Sequence, residues 1–400
     1  MKPALVTGAC GFSGGHMIKL LADEGVPVRG TDLEGAYASP KVRACQESIG
    51  VDWNAAGVEF VPADLSDMDS LREVLRGVGT VYHTASLYDY SASMSALEKV
   101  NIEGTINLCE AMVEEGIDRL VHWSTAGVYG HPNMPRSSLN PLRALFEQVW
   151  GIGVRPWLSG KSYRRPTAHP TNQPFTEEGS TPLNTPADGP RGTFIVNDYS
   201  VTKWKQEQIV QRYGKERGLR YTVIRPAPLY GPGSDYGIGG IVIAMSEGLT
   251  SVLPIDLKNY LMVNCHVRDI CRAALFVAGR EDTVGEDYNV SDPTVISQLE
   301  FLQIAALLVG RKIHLLPFVR MPLFMPVGVL SARLVRWLEN RFPSYERIRI
   351  WEESSARYLS SSYWISSNKL RDLGFEWEYP DFHIGLRDTV EWFIRMGWIK

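Results

Sequence analysis

The feature that most constrains the fold of this chain is the exchange, repeated across its first half, of short apolar runs for longer stretches of helical periodicity. The pattern predicts strands over 4–7, 27–32, 58–62, 80–83 and 119–124, with helices over 12–24, 67–76 and 93–115 between them. Strand, helix and strand in succession imply right-handed crossovers, and so a parallel sheet covered on both faces. Alternation alone settles only the fold class. At about 131–196 it breaks into a segment rich in Pro, Gly, Ser and Thr around an apolar patch at 142–158. Compact domains hold loops of that length only when they are functional or disordered. A helix over 199–218 and a strand over 221–225 resume the pattern, and after Pro226 it loosens into a smaller α+β portion. The expected organisation is 1–225, with the insertion at about 131–196, followed by 226–400.

Gly8-Ala9-Cys10-Gly11-Phe12-Ser13-Gly14 stands where the first strand passes into the first helix. Glycines there permit a tight turn, let backbone approach a pyrophosphate, and bring helix and strand close. The helix N-terminal amides and dipole then favour the phosphates. The spacing is GxxGxxG rather than GxGxxG, and its weight comes from its place between strand and helix. Asp32, 18 residues past Gly14 at the end of the second strand, adds a second signal. A carboxylate there hydrogen-bonds the adenosine ribose and repels a 2′-phosphate. Together these predict a Rossmann-type, doubly wound domain that takes NAD in preference to NADP. Lys41 and Arg43 leave room for NADP, and a turn residue or helix cap is the plain alternative for Asp32.

Tyr199-Ser200-Val201-Thr202-Lys203 sets a phenol and an ammonium one helical turn apart on one face. A neighbouring cation favours the phenolate, so Tyr199 can serve as acid/base near neutral pH while hydride moves to or from a nicotinamide. Tyr37 and Lys41 match the same spacing, but Pro40 disfavours helix between them. Ser124 and Thr125, at the end of the fifth strand, offer a hydroxyl where open α/β sheets bind ligands. Such a hydroxyl can donate to a substrate oxygen as charge develops, or merely satisfy its own backbone.

TGACGFSG, Asp32, Ala63-Asp64-Leu65, Asn101, STAGVYG, YSVTK, RPAPLYGPG ending at Gly233, and His266-Val-Arg-Asp-Ile270 follow one another in the order of a known family. The chain resembles the extended short-chain dehydrogenase/reductase superfamily from residue 1 to about 290. The resemblance implies a cofactor cradle of Gly8, Gly11, Phe12, Ser13, Gly14, Asp32, Asp64, Leu65, Thr84, Ala85, Asn101, Tyr199, Lys203 and Pro226, with Asp64 at the adenine. It makes Tyr199 the acid/base and Lys203 its partner on the ribose. It favours Thr125 over Ser124 as the catalytic hydroxyl, and Asn101 as a structural or relay residue. It also implies a homodimer through the helices that carry Asn101 and Tyr199. Thr125 and Tyr199 are 74 positions apart, farther than is usual in the family, mainly because of 131–173.

Substrate class turns on the remaining segments. Residues 259–264 read Asn-Tyr-Leu-Met-Val-Asn, without the arginine that a nucleotide diphosphate would call for. Residues 311–349 carry eight Lys/Arg against two Glu, interleaved with Leu, Phe, Met, Pro and Trp. Basic plus apolar composition suits a helix lying on a membrane surface, expected over about 326–338, or one packed on its own domain. This stretch, and Ser366 to Phe375 after it, resemble the C-terminal part of 3β-hydroxysteroid and 4-carboxysterol dehydrogenases. Leu145, Phe146, Val149, Trp150 and Trp157 of the insertion could add to an apolar pocket.

A net charge of −4 argues against nucleic acid as a partner. Five cysteines without a CxxC pair predict reduced thiols and no zinc site. The first residues lack a signal-peptide core, and no apolar run reaches the ~18 residues of a membrane span. The expectation is a cytoplasmic, NAD-dependent oxidation of a secondary alcohol on a hydrophobic, sterol- or isoprenoid-like substrate, with peripheral membrane contact through about 313–341. A sugar-nucleotide epimerase or dehydratase with tightly held NAD, and a non-catalytic dinucleotide sensor, are the alternatives.

Overall fold

Apolar runs too short for a helix and buried on both faces become parallel strands. β1 (Ala4–Thr7), β2 (Val28–Thr31), β3 (Val58–Phe60), β4 (Thr80–His83), β5 (Arg119–Trp123) and β6 (Arg220–Pro226) form one sheet with the strand Asp287–Val290. The computed structural model describes residues 2–90, 92–130, 174–177, 197–248, 252–316, 321–341, 359 and 362–399. Across the sheet the order is Asp287–Val290, β6, β5, β4, β1, β2, β3, and every pairing is parallel. The chain winds outward from β1 to β3, then returns to place β4 on the other side of β1. That reversal opens a crevice at the carboxyl ends of β1 and β4, where doubly wound sheets bind ligands.

Helices cover both faces. On one, α1 (Phe12–Asp23) and the helix Val267–Ala278 bury Met17, Ile18, Leu21, Ile270 and Ala274. On the other, the helices Met68–Leu75, Gly104–Glu114 and Asp198–Arg217 bury Leu71, Leu108 and Val210. Each such large side chain contributes about 1.5–3 kcal/mol by leaving water. A third apolar cluster joins the helices Gly237–Ser246, Gln298–Leu308 and Phe382–Arg395 through Val242, Leu302 and Phe393.

The structure departs from the sequence reading in three places. The helix expected over 93–115 is interrupted by a π-helical stretch, Glu98–Glu103, between Met94–Leu97 and Gly104–Glu114. The sheet does not stop at residue 225: Asp287–Val290 pairs with β6 and Val267–Ala278 packs on the same sheet, so the later portion returns to complete the first. The second Tyr–Lys pair, set aside above on account of Pro40, is split as that reading expects, Tyr37 ending the short helix Glu34–Tyr37 and Lys41 lying in the next, Pro40–Ser48. The basic helix is longer than expected, Met321–Arg341, and the Asp256 carboxylate accepts from the Met321 N–H at its start. Within the insertion only 174–177 are described. There Phe175 bridges to Ile365 and stacks on Tyr129, while the apolar patch at 142–158 lies outside the described residues.

Candidate active site

The glycine loop is pressed between two backbones. Gly8 has φ +68, and a Cβ on it would stand 2.8 Å from Ala85 Cα. A Cβ on Gly14 would fall inside the Gly8 carbonyl oxygen. Only glycine fits at either position, and the turn therefore delivers the start of α1 to the crevice. The amides of Phe12, Ser13 and Gly14 lie in the first turn, where no carbonyl of the helix can receive them. Thr84 and Ala85 close the loop from β4: the Thr84 hydroxyl donates to the Thr7 carbonyl at 2.7 Å, and the Ala85 N–H to Thr7 Oγ1 at 3.3 Å.

Asp32 follows β2 with its carboxylate turned toward the loop, accepting from the Cys10 N–H at 3.0 Å and the Leu33 N–H at 2.8 Å. Burial pushes this carboxyl up, and the two amides oppose the shift. The Cys10 thiol beside it is pushed up to about 12 by burial and by Asp32, so it stays protonated. Asp64 is exposed and accepts from the Ser66 N–H and hydroxyl, while the Leu65 carbonyl accepts from Asn107 Nδ2. Pro226 is buried at the end of β6.

The helix Asp198–Arg217 begins where Asn197 Oδ1 accepts from the Ser200 N–H, and ends at Gly218 with φ +74. Its first turns bring Tyr199, 8% exposed, and Lys203, 2% exposed, to the crevice. Lys203 Nζ donates to Ser86 Oγ at 2.8 Å, in the loop after β4. Burial pushes the Lys203 ammonium down to about 7, with the Glu207 carboxylate working in the opposite direction. Behind the lysine, Ser86 donates to Gln206, Gln206 to Thr105, and Thr105 to the Asn101 carbonyl.

Asn101 and Ser124 both lie in buried polar contacts near this network. Asn101 is fully buried within the π-helical stretch. Its amide accepts from the Leu87 N–H and donates to Thr202 Oγ1. It thus braces the β4 loop against the Tyr199 helix. The Ser124 hydroxyl donates to Glu207, which also holds Arg225 through Nη2 at 2.8 Å and Nε at 3.0 Å. It is thereby tied to a buried ion pair. Thr125 is half-buried, and its Oγ1 accepts from the Gly127 N–H at 3.1 Å, which leaves its own proton to donate.

Sequence reasoning missed Ser86, Gln206 and Glu207, although Glu207 sits one turn beyond Lys203 on the same face. It also missed Tyr88 and Tyr90, whose rings meet Tyr199, and Tyr236, whose ring meets both of them. Among the described residues no group of three or more His, Cys, Asp or Glu could hold a metal, and all five cysteines are free.

The residues present fit a dinucleotide: a backbone cradle that no Cβ could enter, a carboxylate at the end of β2, and a buried lysine beside a tyrosine. Fold and site together are those of a dinucleotide-binding, doubly wound α/β protein. The chain belongs to the NAD dependent epimerase/dehydratase family, which it matches over 4–145 and 180–291. It is 26% identical, over 97% of its own length, to 3beta-hydroxysteroid-dehydrogenase/decarboxylase isoform 2 of Arabidopsis thaliana, and it spans 61% of that protein. It is 23% identical, over 93% of its length and 86% of the relative's, to 3-beta-hydroxysteroid dehydrogenase of Mycolicibacterium neoaurum. Its fold is that of dTDP-glucose 4,6-dehydratase from Streptomyces venezuelae, solved with NAD bound (TM-score 0.66, 22% identity, 100% of this chain and 99% of the other). The fold is also that of UDP-glucose 4-epimerase from Thermus thermophilus in complex with NAD (TM-score 0.61, 20% identity, 98% and 99%).

Proposed function

We propose that this chain oxidises a secondary alcohol on a hydrophobic, sterol-like substrate, with Tyr199 as acid/base. The observation that carries the reading is the Tyr199–Lys203 pair buried beside the glycine loop, with Lys203 held by Ser86. The steroid class rests on the names of relatives aligned over 93% and 97% of the chain.

NAD, when bound, supplies the hydride acceptor. The α1 amides and the loop of Gly8, Gly11 and Gly14 would hold its pyrophosphate, and Asp32 its adenosine ribose. Asp64 and Leu65 would border the adenine, and Lys203 the nicotinamide ribose. Thr125 donates to the substrate oxygen and holds it at the Tyr199 phenol. Tyr199, held as phenolate by the Lys203 ammonium, takes the hydroxyl proton and becomes the neutral phenol as the carbon–hydrogen bond breaks. A carboxylate beta to the new ketone could then leave as carbon dioxide, because the ketone accepts the electron pair.

A membrane surface as the source of such a substrate belongs to the same proposal. On the helix Met321–Arg341, Val327, Leu330, Leu334 and Trp337 are 55–63% exposed and recur at i, i+3, i+7 and i+10, so they share one stripe. Arg333 and Arg341 are exposed on the same helix. No helix among the described residues is long and apolar enough to cross a membrane. Apolar side chains with flanking arginines suit contact with an anionic bilayer from one side. A cytoplasmic homodimer through the Asn101 and Tyr199 helices completes the reading, and light scattering of the purified protein tests it.

Purified protein given NAD is to be assayed for NADH against matched panels of 3β-hydroxysterols and nucleotide sugars. Steady NADH with a sterol supports the proposal. Conversion of a nucleotide sugar without accumulating NADH would replace it with an epimerase or dehydratase. Tyr199→Phe should abolish turnover and leave NAD binding largely intact.

A further inference from the structure

Tyr199 touches the rings of Tyr88 and Tyr90, and both of these touch a third, Tyr236, from a distant part of the chain. Tyr88 and Tyr90 lie in the segment after β4, and Tyr236 precedes the helix Gly237–Ser246 in the later portion. The Tyr88 ring centre is 4.8 Å from Tyr199 and 4.9 Å from Tyr236; Tyr90 is 5.8 Å and 6.0 Å from the same two rings. All four contacts have planes at 62–85°, the edge-to-face arrangement that the ring quadrupole favours. The Tyr88 hydroxyl donates to Tyr90 Oη at 3.4 Å.

Two features separate this cluster from ordinary core packing. Tyr88 is 49% exposed while the Tyr199 it touches is 8% exposed, so the cluster spans the passage from solvent to the acid/base. Its backbone is also fixed by the residues that fix the lysine: Ser86 receives Lys203, and the Leu87 N–H is held by Asn101. Rings positioned this way present broad apolar faces with little entropy left to lose.

We propose that Tyr88, Tyr90 and Tyr236 form an aromatic collar that selects flat, apolar alcohols by ring-face contact and keeps water from the Tyr199 hydroxyl. The inference rests on the reading of the site as one for a hydrophobic secondary alcohol, and it names the residues that make the choice. A fused-ring alcohol lies across the collar; a single small ring reaches Tyr199 without spanning it.

The test measures KM and kcat with NAD for a 3β-hydroxysterol and for cyclohexanol, in wild type and in Tyr88→Ala, Tyr88→Phe, Tyr236→Ala and Tyr236→Phe. The NAD Kd is titrated in each variant. Each alanine variant should raise the sterol KM about tenfold, the loss expected when one aromatic contact is removed. The cyclohexanol KM and the NAD Kd should move less than about twofold, and the phenylalanine variants should resemble wild type. A structural role would move all three quantities together. An unchanged sterol KM in the alanine variants, an equal loss for cyclohexanol, or an equal loss of NAD affinity would overturn the collar. A wild type that oxidises no hydrophobic alcohol would instead overturn the functional reading and the collar with it.

Discussion

Replacing Lys203 by Met leaves a side chain of similar length in place and removes a charge from a site with 2% exposure. In the unfolded chain this amine keeps its proton up to 10.5; in the folded protein burial brings it down to about 7. Between those values the unfolded chain binds more protons, so folding becomes more favourable as pH rises. Below about 7 the whole penalty is present, and above 10.5 it is gone. The interval corresponds to about 5 kcal/mol, with a limiting slope of about 1.4 kcal/mol per pH unit. Loss of the hydrogen bond to Ser86 offsets about 1 kcal/mol of any gain from removing the charge. The cofactor-free Lys203→Met protein should therefore unfold at higher urea than wild type near pH 7. Its advantage should shrink by roughly 2–3 kcal/mol between pH 7.5 and 9.5, and turnover should be lost throughout. Urea titrations followed by tryptophan fluorescence at several pH values give both curves. Parallel curves, or a variant less stable than wild type at pH 7, would refute the argument from burial.

Three further substitutions test the scaffold. Glu207→Leu strands the buried Arg225 guanidinium with Tyr129 and Asp287 as its remaining partners, and should destabilise by about 3–5 kcal/mol in urea titration; a loss under about 1 kcal/mol would mean that those two suffice. Gly14→Ala puts a methyl into the Gly8 carbonyl and should weaken NAD at least about tenfold by calorimetry; unchanged affinity would remove the loop from the cofactor site. Asp32→Ser should narrow the preference for NAD over NADP, read as the ratio of kcat/KM values, since the 2′-phosphate then meets a hydroxyl instead of a carboxylate; continued exclusion of NADP would assign the discrimination elsewhere.

Some of this architecture is legible in the sequence because the physics that creates it is local. Most of the strands from β1 to β6 carry short apolar runs, and the glycine loop is an uninterrupted heptapeptide whose constraints are those of a single turn. Tyr199 and Lys203 need only one turn of helix to meet. The seventh strand, Asp-Tyr-Asn-Val at 287–290, gives no such signal. Its Asn289 is fully buried in the sheet because Tyr129 donates to its Oδ1, and Glu177 accepts from its N–H, so polar composition there hides a core position. The π-helical stretch is equally silent, since no periodicity separates it from the helix on either side. What it achieves, a fully buried Asn101 joining Leu87 to Thr202, depends on residues 101 positions apart.

The two halves of the site differ in the same way. In the proposed reading, acid/base chemistry is set by neighbours on one helix and by a carboxylate one turn farther along it. In that reading, recognition of the substrate draws on Tyr88 and Tyr236, nearly 150 positions apart, which meet only because the chain returns from the later portion to the β1–β4 crevice. A fold that fixes hydride chemistry at the crevice can therefore change substrate by altering segments that contribute nothing to the sheet. The separation has a measurable consequence in the variants above: Lys203→Met should abolish turnover of every alcohol, whereas Tyr236→Ala should alter the ratio between a fused-ring and a single-ring alcohol while leaving NAD affinity nearly unchanged.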